Sequence, residues 1–430
     1  MQLKSLIIIF SLFLFSCEDK QEVLGVDNES LTDNENENNC DDEVGDVCGC
    51  MDSVAINFNP LATIDDGTCQ YYTGELNFVW SKMIEVAGEM WSMRPVSDGG
   101  FIMACGNAGD CENSTYDDPC EYYGQLIRLD ENGDIIWHKM YENSSAIYAA
   151  RETSDGGFIA AGWYECVRNM DCYPDMFILK TDADGNEEWS RIEASSNNNN
   201  DWGRDAIQTQ DGNYVVAGTW NDDGWNSKAS LRKYDINGDL MWSNTYSNST
   251  ANEAYELLET NEGDLVFAGY SGTQHGAYQH YMVKTDSDGE QKWKKKKKSV
   301  GDAILYAICE SPDGGYTGAG FCNSWRSNFI IQRKPNQGSA DWNSCIIGDM
   351  SVAGFYDITP AIGGGYYCVD ERNYLTKLSS AGEIIFTENV GASLAVIELN
   401  NGDIVVAGRD AFLDGGYGGE AIIKRVSFSN

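Results

Sequence analysis

Basic side chains are scarce in this sequence. Its 29 Lys and Arg stand against 68 Asp and Glu, which gives a formal net charge of −39 at pH 7. Nucleic acids and anionic lipid surfaces are bound through clustered Lys and Arg, so neither is an expected partner. The one basic run, from Lys294 to Lys298, is expected to protect the edge of an outer strand or to touch an acidic patch.

Familiar catalytic motifs are also missing. There are 3 histidines: His138 lies beside a repeat tryptophan, and His275 and His280 share a predicted loop. No Gly-x-Ser-x-Gly elbow, HExxH helix or phosphate-binding glycine loop occurs, which argues against the common hydrolase, zinc-protease and nucleotide-binding classes. Helix signals are poor, whereas aromatic and β-branched residues are abundant, so the expected fold class is all-β.

Most of the sequence consists of one repeated unit. Each unit has an inner strand, a glycine turn, an apolar strand that usually ends in Ala-Gly, a third strand, and an Asp-x-x-Gly turn that leads to a closing aromatic. The turn glycines are Gly99, Gly156, Gly212, Gly263, Gly314, Gly364 and Gly402, and the closing aromatics are Trp80, Trp137, Trp189, Trp242, Trp293, Trp342 and Phe386. A period of roughly fifty residues with several strands per unit predicts a seven-bladed β-propeller of four-stranded blades.

The two series are offset at the ends of the chain. Trp80 precedes the first glycine turn, and no tryptophan follows Gly402. We therefore expect the strand from Leu76 to Trp80 to complete the last blade beside the segment from Ala421 to Val426. This pairing closes the ring and removes two exposed sheet edges.

The chain begins with features of an exported, lipid-anchored protein. Residues 1–16 contain an apolar run from Leu6 to Phe15, which is too short to span a bilayer and is typical of a signal peptide. The sequence Leu-Phe-Ser-Cys that ends at Cys17 resembles the lipobox of bacterial lipoproteins. That resemblance implies acylation of Cys17 and a place in the cell envelope, on the outer membrane and exposed at the surface. The alternative is an ordinary signal peptide with an incidental cysteine.

Two short segments separate this leader from the repeats. Residues 17–47 are acidic and poor in apolar side chains, so we expect a disordered tether. Residues 48–72 resemble a short cysteine-bounded repeat of secreted proteins, GC-x-D-x-x-A-x-N-x-N-P-x-A-x-x-D-D-G-x-C. A segment this small needs a staple, and the disulfide pairs expected in this region are Cys50 with Cys69 and Cys40 with Cys48.

The same segment offers a candidate calcium site. Asp52, Asp65 and Asp66 could gather carboxylate oxygens around a Ca²⁺ ion. The alternative is that these aspartates only build Asx turns. No other cofactor is expected.

Residues 73–430 form the propeller in this interpretation. The Asp-x-x-Gly-x-x-x-Trp turns, for example Asp182, Gly185 and Trp189, resemble the repeats of pyrroloquinoline-quinone-like propellers. The complete unit is similar to secreted bacterial propellers whose blades carry Asp-Gly-Gly, Ala-Gly and Lys-Thr-Asp. The resemblance implies a fold and no particular activity. A quinone enzyme would need a quinone floor, a metal and adjacent cysteines, and the sequence shows none of these.

One face of the propeller collects the candidate binding residues. It carries the loops that enter the inner strands and the loops that join the second and third strands. Exposed aromatics beside carboxylates suit sugars or peptides, and the residues expected there are Trp91, Tyr148, Trp202, Trp220, Asp222, Asp223, Trp225, Tyr278 and Trp325. The disulfides expected to brace this domain are Cys111 with Cys120, Cys166 with Cys172, Cys309 with Cys322, and Cys345 with Cys368, leaving Cys105 over.

These observations favour a binding module over an enzyme. The expected partners are a glycan, a peptide or an envelope protein, bound by a monomer through the loop face. The competing class is a hydrolase or lyase acting on polysaccharide, whose carboxylates would meet in the central pocket. A third class is a structural part of an envelope complex.

Overall fold

The computed structural model describes residues 47–52, 55, 59, 61–71, 75–108, 122–164, 173–195, 200–221, 226–247, 249–273, 276–298, 301–311, 314–322, 327–346, 354–409 and 420–428. These residues build strands and turns, and none of them lies in a helix that is long and apolar enough to cross a membrane. The all-β prediction is therefore confirmed.

The small N-terminal segment is held by a disulfide. Its two short strands, β1 (Cys48–Gly49) and β2 (Ile64–Asp65), pair in parallel. Cys50 and Cys69 are bonded across a separation of 19 residues, as predicted. Cys48 is also disulfide-bonded, whereas its predicted partner Cys40 lies outside the described residues.

Strand β3 (Leu76–Ile84) follows, and then six complete four-stranded blades in chain order. Blades one to three are β4 (Glu89–Pro95), β5 (Phe101–Ala108), β6 (Tyr122–Leu129), β7 (Ile135–Tyr141); β8 (Ala146–Glu152), β9 (Phe158–Tyr164), β10 (Asp175–Thr181), β11 (Glu187–Glu193); and β12 (Trp202–Gln208), β13 (Tyr214–Trp220), β14 (Lys228–Tyr234), β15 (Leu240–Tyr246). Blades four to six are β16 (Ala251–Glu259), β17 (Leu265–Thr273), β18 (Gly276–Thr285), β19 (Gln291–Lys297); β20 (Ile304–Glu310), β21 (Tyr316–Cys322), β22 (Ser327–Arg333), β23 (Ala340–Ile346); and β24 (Phe355–Pro360), β25 (Tyr366–Asp370), β26 (Tyr374–Leu378), β27 (Ile384–Asn389).

The seventh blade joins the two ends of the chain. Its strands are β28 (Ala395–Glu398), β29 (Ile404–Arg409), β30 (Ala421–Phe428) and β3. β3 runs antiparallel to β30, with Phe78 opposite Val426 and Ile84 opposite Ala421. The predicted closure is confirmed, and both strands extend beyond the predicted segments. The inner strand β28 contacts β4 of blade one, so the inner strands form a closed ring.

Blades are joined by the predicted aromatics. In blade two, the Trp189 indole N–H donates to the carbonyl of Ile236 in blade three at 3.1 Å, and the ring lies against Gly238. That glycine has a φ of +79°, and a Cβ on it would stand 2.7 Å from the Trp189 ring. Only a glycine allows this combination of backbone conformation and close approach. Similar contacts join Trp137 to Gly185 and Trp293 to Gly338.

The glycine turns are tied to buried lysines. Lys180 donates to Asp155 at 2.9 Å, and Lys233 donates to Asp211 at 2.7 Å. Burial disfavours the charge on Asp155, but its bonds from Thr153 and Lys180 outweigh this and lower its pKa to about 2. These pairs fix each turn to the third strand of its own blade.

Candidate functional site

Six inner strands share an irregularity at the same position. The register of the inner pair shifts around one residue in each of blades one to six. A bulge of this kind re-aims the side chain of the extra residue. The residues are Trp91, Tyr148, Arg204, Tyr255, Tyr306 and Tyr356, and all are half-buried. They are called the axial belt below, because the inner strands that carry them encircle the axis.

The rings of the belt touch from blade to blade. The Trp91 and Tyr148 centroids are 4.9 Å apart at an interplanar angle of 90°. On the other side, Tyr255 lies 5.1 Å from Tyr306, which lies 5.2 Å from Tyr356. Edge-to-face and tilted arrangements at these distances are favourable for aromatic pairs. The belt therefore presents aromatic surface around much of the central opening.

Two arginines fill the remaining contacts. The guanidinium of Arg204 lies 4.5 Å from the Tyr148 ring and 5.2 Å from the Tyr255 ring, while its Nε donates to Glu253 at 2.6 Å. Burial opposes the charge on Arg204, but Glu253 outweighs it and holds the pKa above its usual range. Arg409 lies 4.4 Å from the Trp91 ring. All three ring contacts are cation–π interactions.

A network of charged side chains crosses the axis further along the inner strands. Arg94 of blade one donates to Glu256 of blade four at 2.5 Å and to Asp357 of blade six at 3.1 Å. Arg151 of blade two reaches Asp205 at 2.8 Å and Glu256 at 3.0 Å. These five residues are called the axial network. Arg94 and Arg151 stand three positions after belt residues, about 10 Å along a strand, so the belt is nearer the face where inner strands begin.

The carboxylates of the axial network also bind backbone N–H groups of the next inner strand. Asp205 accepts from Leu257 at 3.0 Å, Glu256 from Ile308 at 2.8 Å, and Asp357 from Val396 at 3.0 Å. Each carboxylate thus links its own blade to the following one. All three are engaged by arginines and amides, which is the arrangement of structural ion pairs.

The predicted binding residues divide into three groups. Trp91 and Tyr148 belong to the belt; Trp202 lies 5.0 Å from Arg204, and Tyr278 contacts Tyr270 at 4.6 Å, which in turn lies 6.1 Å from Tyr255. Trp220 lies apart, stacked 4.0 Å from the Arg232 guanidinium and packed on the core of blades two and three. Outside the described residues lie Asp222, Asp223, Trp225 and Trp325.

Most of the belt was missed by sequence reasoning, although a signal exists. Each belt residue stands seven positions before the first residue of its turn triplet, as in 91 and 98, 148 and 155, or 306 and 313. Four belt residues were not predicted, because binding residues were expected in the loops and these four lie on inner strands: Arg204, Tyr255, Tyr306 and Tyr356. The axial network has no local pattern, since its partners come from blades far apart in the chain.

Two predicted disulfides are wrong. Cys309 and Cys368 are both free and buried, so neither Cys309 with Cys322 nor Cys345 with Cys368 is formed. Cys322 is itself disulfide-bonded. The reason is the strand register, which places Cys309 opposite Thr317 and away from Cys322; Cys309 packs in an apolar cluster with Cys368 instead. Cys105 is free and buried, as expected, and the predicted pairs Cys111 with Cys120 and Cys166 with Cys172 lie outside the described residues.

The candidate calcium ligands form turns. Asp65 accepts the N–H of Gly67 at 3.1 Å and Asp66 that of Thr68 at 2.9 Å, while Asp52 accepts the Tyr71 hydroxyl at 2.8 Å. The bonds of Asp65 and Asp66 are the Asx turns of the alternative interpretation, whereas that of Asp52 is a contact with a residue distant in sequence. Among the residues described, no group of three or more His, Cys, Asp or Glu is arranged to hold a metal ion. The calcium site stays a prediction.

His280 lies on β18 and not in a loop. Its ring stacks on Phe329 at 3.7 Å, its Nε2 is bonded to the Phe321 carbonyl at 2.7 Å, and burial lowers its pKa to about 3. It is a neutral core residue at physiological pH.

The fold and the belt define a seven-bladed β-propeller with an aromatic axial site. Neither a protein-family model nor a curated protein matches the chain. Among solved structures, BamB from Moraxella catarrhalis is 13% identical and covers 83% of this chain and 98% of its own, with a TM-score of 0.42. Sqt1 from Chaetomium thermophilum is 10% identical, covers 83% and 100%, and has a TM-score of 0.46. A protein of unknown function from Bacteroides caccae is 13% identical, covers 62% and 89%, and has a TM-score of 0.39. Likeness at this level concerns the fold alone.

Proposed function

We propose that the chain is a binding module that recognises a glycan or peptide at the axial belt. The observation that carries this proposal is the belt itself, six inner-strand residues of which five are aromatic and all are partly accessible. Aromatic rings give large, rigid contact area at low entropic cost, and the phenol groups can hydrogen-bond. Placement on rigid inner strands holds these groups in a fixed geometry before a ligand arrives.

The alternative of a polysaccharide hydrolase or lyase lacks a supporting observation. It would need two carboxylates that converge on a substrate. Among the described residues, Asp205, Glu256 and Asp357 at the axis are each held by an arginine and a backbone N–H. Their arrangement supports a structural role, so we place binding first.

The experiment screens the full-length chain on glycan and peptide arrays and then compares two tryptophan variants. Trp91→Ala removes a belt ring and is expected to weaken binding of a retained ligand by tenfold or more, as truncation of a central aromatic anchor does. Trp220→Ala is the matched control, because Trp220 lies outside the belt, and it should leave affinity unchanged. Shortened glycan products would favour the enzyme alternative, and equal losses in both variants would contradict the belt as the site.

We also propose that the chain is a lipid-anchored protein of the bacterial envelope, displayed at the outer membrane by its acidic tether. The support is the sequence before the propeller: an apolar leader that ends in Leu-Phe-Ser-Cys17, followed by acidic residues. Metabolic labelling with a fatty acid is expected to mark the wild-type chain and not Cys17→Ser. Equal labelling of both would contradict the anchor.

A further inference from the structure

Two arginine side chains of the protein already stack on aromatic rings of the axial belt. Arg204 lies over the rings of Tyr148 and Tyr255, and Arg409 lies over the ring of Trp91. Each arginine also has a carboxylate partner, Glu253 for Arg204 at 2.6 Å and Glu89 for Arg409 at 2.6 Å. The recurring arrangement is thus an aromatic ring, a guanidinium and a carboxylate together.

At Tyr356 the belt has a ring and a neighbouring carboxylate, with no guanidinium or ammonium group of the described residues stacked on the ring. Tyr356 contacts Tyr306 on one side, and among the described residues no Lys or Arg stacks on the Tyr356 ring. The neighbouring carboxylate is that of Glu371, which follows the last residue of β25 directly. Its backbone N–H donates to the Gly354 carbonyl at 3.2 Å, two residues before Tyr356.

Glu371 is available to a ligand. It is exposed, and its carboxylate takes part in no hydrogen bond or ion pair within the described part of the chain. The adjacent Asp370 differs, because it is buried and bonded to Arg372 and Asn328, each at 3.0 Å. Burial and the charge of Glu371 raise the pKa of Tyr356 to about 12, and the charge of Arg409 opposes them.

We propose that Tyr356 and Glu371 together bind the ammonium or guanidinium group of a lysine or arginine side chain in a peptide ligand. The ring would offer its negative face, and the carboxylate an ion pair, so that the ligand completes the arrangement that Arg204 and Arg409 complete elsewhere in the belt. The formal charge of −39 of the whole chain would also attract a basic peptide. The inference rests on the proposed function, since it names the ligand chemistry of the same site.

The test measures the affinity of the full-length chain for blocked tripeptides Gly-X-Gly, with X as lysine, arginine, norleucine or glutamate, in 0.15 M salt. Norleucine has nearly the shape of lysine without its charge. The lysine and arginine peptides are expected to bind about tenfold more tightly than the norleucine peptide, the size of a desolvated cation–π contact with an ion pair. Equal affinity for lysine and norleucine would overturn the inference.

Three variants separate a local site from general attraction. Glu371→Gln and Tyr356→Leu should each reduce the preference for lysine over norleucine about fivefold or more, whereas Tyr356→Phe should keep it because the ring face remains. Glu131→Gln is the matched control, since Glu131 is an exposed carboxylate on a turn between third and fourth strands, on the opposite face of the propeller. If Glu131→Gln and Glu371→Gln lower the preference equally, the attraction is nonspecific and the inference fails.

The outcomes also distinguish this inference from the proposed function. A ligand that depends on Trp91 but shows no preference for lysine would leave the belt as a binding site and overturn the cation site. A ligand that binds the wild type and Trp91→Ala with equal affinity would overturn the proposed function. Should Tyr356→Leu fail to fold, Glu371→Gln alone decides, because Glu371 is exposed and its side chain has no partner within the described residues to lose.

Discussion

The contact of a tryptophan in one blade with a turn glycine in the next shows how single residues set the spacing of the ring. Trp189 reaches the Ile236 carbonyl only because Gly238 presents no side chain to its ring. Both residues could be predicted from the sequence, since each repeat contains an Asp-x-x-Gly turn and a closing tryptophan. The contact between them joins different repeats and is visible only in the structure.

A glycine pair measures this contact. Gly238→Ala introduces a methyl group that clashes with Trp189 and also disfavours a φ of +79°, whereas Gly212→Ala has a similar φ of +84° with nothing within 4 Å. We expect Gly212→Ala to cost about 1–2 kcal/mol of unfolding free energy and Gly238→Ala about 1–3 kcal/mol more, as overpacking does. Urea unfolding gives both values, and equal losses would show that the tryptophan contact adds nothing.

Blade six departs from the repeat beside Lys377, and this departure affects the pKa of that lysine. Where blades two and three place Asp155 and Asp211 opposite a buried lysine, blade six has Gly363. Lys377 is buried and donates to the Gly364 carbonyl at 2.7 Å. The charge of Glu398 favours the protonated lysine, but its carboxylate accepts the Ile362 N–H at 2.6 Å. Burial lowers the pKa of Lys377 to about 8.

The pH dependence that follows has a defined sign. Between pH 8 and the unfolded pKa of about 10.4, the unfolded chain holds a proton on Lys377 that the folded chain has released, so this group makes stability rise with pH. Gly363→Asp restores a carboxylate opposite Lys377 and should raise its pKa. From pH 8 to 9.5, wild type should therefore gain about 1–2 kcal/mol relative to Gly363→Asp in urea unfolding. Parallel pH profiles for the two proteins would contradict this account.

The inner strands are the elements on which fold and site meet. The sequence predicts the inner strands, the seven-fold repeat and the closure by β3, because each repeat has its own glycine turn and apolar strands at fixed spacing. The belt could be predicted only in part: Trp91 and Tyr148 were found, but a bulge depends on pairing with the second strand and leaves no distinct composition. The predicted disulfide of Cys309 with Cys322 was wrong for a related reason, since the register of β20 and β21 places Cys309 opposite Thr317 and not opposite Cys322.

Strand β3 is the element whose loss tests the closure. A chain that begins at Glu75 keeps β3, and one that begins at Glu85 loses it and exposes the edge of β30, with Trp80 removed from Gly133. We expect the shorter chain to unfold at a lower urea concentration and to aggregate, because its seventh blade keeps only three strands and the edge of β30 is left unpaired. The chain from Glu75 is the control and should match the full propeller. Equal stability of the two truncated chains would show that β3 does not close the ring.

At the scale of the whole molecule, the axial network joins blades that are not neighbours. Arg94 connects blades one, four and six, and Arg151 connects blades two, three and four. Neighbouring blades are already held by apolar packing and by the tryptophan contacts, so the network adds ties across the ring. The belt rests on the same inner strands, and its geometry depends on these ties.

Glu256 is the residue through which both arginines are tied, and its replacement tests the network. Glu256→Gln keeps an acceptor for the Ile308 N–H, at 2.8 Å in the wild type, but removes the charge that faces Arg94 and Arg151 in the interior. Breaking a buried ion pair on one side leaves the partner charges poorly compensated, so we expect a loss of about 2–4 kcal/mol in unfolding free energy. Glu131→Gln, at an exposed turn, should change the unfolding free energy by less than about 0.5 kcal/mol.

The double variant tests whether the network acts as a unit. Combining Glu256→Gln with Arg151→Met should lower the unfolding free energy by less than the sum of the single changes, because Arg151→Met removes a charge that Glu256→Gln leaves uncompensated. Additive losses would mean that Glu256 and Arg151 stabilise the ring independently, and the network would then not act as a unit across the axis.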